Sequence, residues 1–159
     1  MHGHGPGRAE AHPTLVPDDV HRRRWAIVAV LSLSLLITAI DHTIVNVALP
    51  RMVTDLDAST SELQWMVDAY TVVFAGLLLT AGTLGDRFGR KGALLTGLGV
   101  FLVGSVLAAT TDSADLVIAA RAVMGVGGAL IMPSTLSILT NAFRDPAERA
   151  RAIAAWAGV

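Results

Sequence analysis

Three ionisable residues stand where an apolar chain has little use for them. In "AIDHTIVNVALP", residues 39–50, Asp41 and His42 follow an uncharged run that covers residues 25–40. Asp68 sits in "WMVDAYTVVF" and Arg121 in "LVIAARAVMG", again among apolar neighbours. A charge deep in a bilayer costs about 2.5–3.5 kcal/mol on insertion scales, so it usually faces a polar cavity and does a job. An acid in such a cavity holds a proton more readily than in water, and a nearby arginine or an arriving cation opposes that preference. A site able to hold either a proton or a cationic substrate trades one for the other. The competing roles are structural: Asp41 satisfied by Thr43, Asn46 or Arg121, Asp68 reached by water near the interface, and Arg121 as a counter-ion. His42 reads as a polar neighbour in the cavity wall.

A second group is cytoplasmic in character. "GTLGDRFGRKGALL", residues 82–95, sets Asp86, Arg87, Arg90 and Lys91 between Gly82, Gly85, Gly89 and Gly92. The glycines permit a tight reversal and close helix approach. Asp86 can hold an arginine or cap a helix start. An ordinary membrane loop needs the basic residues but not this glycine spacing.

The elements that must position these residues follow from composition. The 159 residues are 53% hydrophobic and 16% charged, with mean hydropathy +0.58 and net charge -1. Soluble domains carry about 25% charged residues. The apolar residues fall into blocks near the roughly 20 residues that cross a bilayer. Expected helices cover about 25–50, 62–82, 92–111, 115–140 and 147–159, the last incomplete. The fold class is thus all-α and integral to the membrane: four transmembrane helices and the start of a fifth. Ser59 and Glu62 form a capping box before the second helix, and "DPAE" at 145–148 places Asp145 as cap and Pro146 at the first position of the fifth. The chain stops inside that fifth segment, which reads as a fragment of a longer bundle.

Residues 1–24 read as a flexible cytoplasmic tail rich in Gly, Pro and His. His2, His4 and His12 are taken as solvated rather than metal-ligating, because a mobile site lacks the geometry that metals reward. The absence of cysteine excludes disulfides, thiolate metal sites and cysteine nucleophiles. Basic residues fix the orientation: Arg8, Arg22, Arg23, Arg24, Arg87, Arg90, Lys91, Arg144, Arg149 and Arg151 fall on one side and Arg51 alone on the other, which puts the amino terminus in the cytoplasm. At 1.5 Å per residue, Asp41 lies about 14 Å inward from Pro50, the expected outer end of the first helix, and Asp68 and Arg121 about 9 Å inward from Glu62 and Asp115. All three fall in the outer half of the bilayer.

The run Gly82, Leu84, Asp86, Arg87, Gly89, Arg90, Lys91 and Leu94 resembles the signature loop of the major facilitator superfamily. "LVIAARAVMGVGGA", with Arg121, Gly125 and Gly127, is similar to the fourth-helix motif of its proton-coupled exporters, with Val117 where leucine is frequent and Met124 where glutamine is. "AIDHTIVNVALP" resembles the first-helix motif of the fourteen-helix drug:proton antiporters, with Ile40 in place of leucine. "ELQWMVDAYTV" and "ERARAIAAW" are also similar to that subfamily. The resemblance covers about residues 25–159. It implies that the 82–91 loop latches two transporter halves, that Arg121 assists proton transfer, and that Asp41 carries the proton or meets the substrate. An acid at 68, where relatives have a neutral polar residue, suits cationic cargo. Gly125, Gly127 and Gly128 fit close helix packing, and Pro133 a kink.

The function expected is export of drugs or other amphiphilic, mostly cationic compounds by alternating access, driven by the proton gradient with no cofactor. Its partners are the lipid bilayer, a small-molecule substrate and the remaining transporter helices, without nucleic acid. Its place is the plasma membrane, with several spans. Nothing suggests an enzyme: there is no nucleotide loop or nucleophile arrangement. The alternatives are export of a metabolite or lipid precursor on the same fold, and a truncated membrane protein that acts through a partner.

Overall fold

A computed structural model describes residues 18–158, with side chains from Arg23 onward. The expected tail through residue 17, with His2, His4 and His12, lies outside the described residues. Five helices follow in order: α1 Asp18–Asp55, α2 Thr60–Phe88, α3 Arg90–Thr110, α4 Ala114–Ala142 and α5 Pro146–Ala157. The first four are long and apolar enough to cross a membrane. The all-α bundle expected from the sequence is therefore what forms.

Local chemistry sets several boundaries. The Ser59 amide donates to the Glu62 carboxylate at 2.8 Å, and the Glu62 amide donates back to the Ser59 hydroxyl at 3.3 Å. This reciprocal pair satisfies two of the otherwise unpaired groups at the start of α2. At α5 the Glu148 amide donates to the Asp145 carboxylate at 2.8 Å, with Pro146 in the first turn.

Three boundaries differ from expectation. The first helix begins at Asp18 rather than 25, and Arg24 in its early turns donates to Glu148 of α5 at 2.7 Å. Pro50 lies inside α1, which runs on to Asp55. A proline removes one backbone donor and crowds the carbonyl four residues back. Pro50, Arg51 and Asp55 are all exposed, so the freed carbonyl of Asn46 lies near the watery end of the helix, where the loss is tolerable. Finally, the expected loop after residue 82 is mostly helical. Only Gly89, with φ of +97°, separates α2 from α3. That backbone conformation suits glycine alone, and it lets two spans reverse over one residue.

Helix α4 is the centre. Half of its most apolar window is buried, against 17–22% for the same window in the other three spans. It packs mainly on α3 and α2, while α1 touches α4 and α5. Small residues allow this. A Cβ on Gly127 would lie 2.7 Å from both the Gly97 carbonyl and the Phe101 amide of α3, and one on Gly125 would lie 2.7 Å from the Tyr70 carbonyl of α2. Without a hydrophobic force between helices in lipid, such backbone approach is how spans associate. The outward face of α1 carries Val30, Leu33, Ile37, Ile40, Ile44 and Val47, exposed at every third or fourth position. That spacing is one helical stripe, suited to an apolar surrounding.

Candidate functional site

Arg121 is the largest fully buried side chain among the described residues, with 2% of its surface exposed. Its Nη1 donates to Oδ2 of Asp41, whose side chain is 15% exposed, and its Nε donates to the Met66 carbonyl at 2.9 Å. The guanidinium carbon lies 4.9 Å from the centre of the Tyr70 ring. Three helices thus converge on one cation: α1 supplies the counter-charge, α2 a carbonyl and an aromatic face. A guanidinium presents five donors in a fixed fork, and here Nη2 is buried without a protein acceptor.

The helical rise explains the meeting. Arg121 is seven residues from the start of α4 and Met66 six from the start of α2, so both sit about 9–10 Å in from the same face. Among Thr43, Asn46 and Arg121, the structure makes Arg121 the partner of Asp41. Thr43 and Asn46 are exposed and turn their donors back onto the carbonyls of Ala39 and His42. Asp68 is not brought to the pair. At 3.6 residues per turn it lies about 200° around α2 from Met66. It is half-buried and has no hydrogen bond or ion pair among the described residues.

Tyr70 was not singled out from the sequence, although it is the chain's only tyrosine and lies one turn beyond Met66 on the same face. Its ring meets His42 edge-on at 4.6 Å and stacks on Phe74 at 5.8 Å. A Cβ on Gly128 would strike its hydroxyl. Two spaces lie near these residues, and Tyr70 lines the first. One, about 280 Å³, lies between α1, α2 and α4 and is lined by Thr38, His42, Tyr70, Thr71 and Phe74 with aliphatic neighbours. The other, about 190 Å³, lies between α1, α3 and α4 with Met66 of α2 also on its wall, and holds Asp41, Arg121 and Ser105 among apolar residues. Ser105 also escaped notice, because a serine within an apolar helix carries no signal until its facing residues are known.

At the opposite end of the bundle, Arg90 pairs with Asp86 across Gly89. Its Nε and Nη1 are buried without protein partners, and its guanidinium lies over Gly85, where a Cβ would come within 3.0 Å. Arg87 lies over the Phe88 ring at 5.7 Å, and Lys91 is exposed. Gly82 faces Pro133, which stands inside α4. On that same side, the start of α1, the end of α4 and the start of α5 are tied by Arg24–Glu148, by Trp25 edge-on to Phe143 at 5.5 Å, and by Arg149 Nε donating to the Phe143 carbonyl at 2.9 Å.

Comparison with known proteins adds the following. The sequence profile described as Major Facilitator Superfamily matches residues 31–159. The multidrug efflux pump LfrA of Mycolicibacterium smegmatis is 48% identical over 135 residues, which is 85% of this chain and 27% of that protein. A methylenomycin A resistance protein of Bacillus subtilis is 42% identical over 84% of this chain and 29% of its own length. The methyl viologen resistance protein SmvA of Salmonella typhimurium is 37% identical over 86% of this chain and 28% of its own. The chain thus spans between a quarter and a third of the length of these curated relatives.

Proposed function

We propose, on the premise that the chain belongs to the Major Facilitator Superfamily, that it forms part of a proton-driven exporter of drugs or similar amphiphilic, mainly cationic compounds. The chain is a multi-pass membrane segment. The observation that carries the coupling is the Asp41–Arg121 pair, which lines the cavity of about 190 Å³. With Asp41 ionised, Arg121 is neutralised and held against Met66 and Tyr70. A proton on Asp41 removes the counter-charge and frees the guanidinium to change partners. That is a local two-state element which proton and cationic cargo bias in opposite directions. Relatives named for multidrug efflux and for methyl viologen resistance support a broad cargo range.

In this reading the protein lies in the plasma membrane with its amino terminus in the cytoplasm, uses the proton gradient and no cofactor, and binds no nucleic acid. The remaining helices complete the fourteen-helix transporter. The Asp86–Arg90 pair, with Arg87 and Lys91 beside it, latches α2 and α3 to the missing half in one of the two access states. Asp68, unpaired among the described residues and on the far face of α2 from Met66, meets cationic cargo or those helices. Alternating access needs two half-bundles rocking about a shared site, so this chain alone does not transport. The test is ethidium efflux from cells making the full-length protein. Efflux that collapses with a protonophore is expected. Efflux indifferent to the proton gradient contradicts the proposal.

A further inference from the structure

We propose that protons reach Asp41 from the outer face through their own crevice between α1, α3 and α4, with Ser105 as the positioning residue, rather than through the cavity that holds His42. The proposal rests on the coupling role given to Asp41 above. The 190 Å³ space beside the pair continues outward into a second one of about 260 Å³, and the two share Ala48, Met52, Ala108 and Val117 as walls. The outer space ends among Arg51, Asp55, Thr111 and Asp112, where Arg51, Asp55 and Asp112 are exposed. Two acids against one base at that mouth favour cations, hydronium included.

The inner space carries two unpartnered polar groups. Arg121 Nη2 is buried without a protein acceptor, and the Ser105 hydroxyl has no hydrogen bond among the described residues. Together with the Asp41 carboxylate they offer three polar partners to water. At roughly 30 Å³ per molecule the inner space holds about six waters, and ordered water needs two to four such partners. Close contact of α3 with α4 brings Ser105 there: a Cβ on the adjacent Gly104 would lie 3.0 Å from the Ala120 carbonyl.

The transfer balances simply. A hydronium in the external medium gives its proton to the first water, each water passes one on, and the last forms an O–H bond on Asp41. The Ser105 hydroxyl accepts from one water, donates to the next, and ends unchanged. Asp41 becomes neutral and its ion pair with Arg121 opens. The groups around Asp41 are Arg121 from α4, Tyr70 from α2 and its neighbour His42 on α1. From α3 this space is lined by Ser105, Ala108 and Ala109, none of them charged.

The experiment uses the full-length protein in liposomes with a pH dye inside and ethidium as cargo. Ala108 lines both spaces, so Ala108→Phe plugs their junction. Ser105→Ala removes one oxygen and adds no bulk, and Ser105→Thr restores the hydroxyl. Ala108→Phe and Ser105→Ala each slow ethidium-driven proton movement by about tenfold, while Ser105→Thr recovers it and ethidium affinity, read by fluorescence titration, stays at the wild-type value. Wild-type proton movement in both Ala108→Phe and Ser105→Ala overturns the route, as does an equal loss of ethidium affinity. A wild type that binds ethidium but moves no protons overturns the exporter reading itself.

Discussion

Replacing Asp41 by leucine strands a cation that the fold has enclosed. Arg121 is 2% exposed, and of its ties to Asp41, the Met66 carbonyl at 2.9 Å and the Tyr70 face at 4.9 Å, only the first carries a full opposite charge. Removing one partner of a buried pair costs about 3–5 kcal/mol, because the other is left uncompensated. The surviving carbonyl and ring place Asp41→Leu near the lower end, at about 3 kcal/mol. Arg121→Met leaves an acid that is 15% exposed and can recruit water or a proton, so its cost is smaller, about 1–2 kcal/mol. The double variant removes both charges and keeps similar volume, and buried pairs replaced in this way are often neutral or better. It therefore unfolds within about 1 kcal/mol of wild type, and with the double variant at the wild-type value the coupling between the sites is about 4–5 kcal/mol. The assay is unfolding of purified full-length protein by increasing detergent denaturant, followed by tryptophan fluorescence. Additive losses in the double variant would refute the reasoning, since they would mean that neither charge depends on the other.

Two further outcomes follow from the same geometry. Gly127→Ala pushes a methyl group to 2.7 Å from two backbone atoms of α3 that cannot yield separately, so it costs about 1–3 kcal/mol, whereas Gly99→Ala on the open face of α3 gains up to about 1 kcal/mol of helix propensity; thermal unfolding of both variants checks the contrast. Asp68→Asn leaves stability close to wild type, because Asp68 has no ion pair among the described residues, but narrows the range of exported divalent cations relative to monovalent ones; an unchanged cargo panel would reduce Asp68 to a structural role.

Much of this arrangement was legible in the chain. The number and order of the spans, the Ser59–Glu62 box and the Asp145 cap are local or nearly local properties. What the residues alone left open was rotation. Whether Asp41 turns to Arg121 depends on how closely α4 approaches α2 and α3, which glycines 97, 125 and 127 set through contacts with residues far away in sequence. The same dependence hid Tyr70 and Ser105, whose roles appear only when three helices are in place. Pro50 misled for another reason. A proline signals the loss of one hydrogen bond, and near the exposed end of a helix that loss does not have to stop it.

The most direct test of the central claim is the proton count of a single step. Full-length wild type and Asp41→Asn are reconstituted in liposomes, an inward-acid proton gradient is imposed, and ethidium movement and internal pH are followed together. The account expects wild type to drive ethidium uphill with proton movement in step, and Asp41→Asn to bind ethidium yet lose gradient-driven transport. If Asp41→Asn still couples protons to uphill ethidium movement at the wild-type rate, Asp41 is not the coupling acid and the account fails.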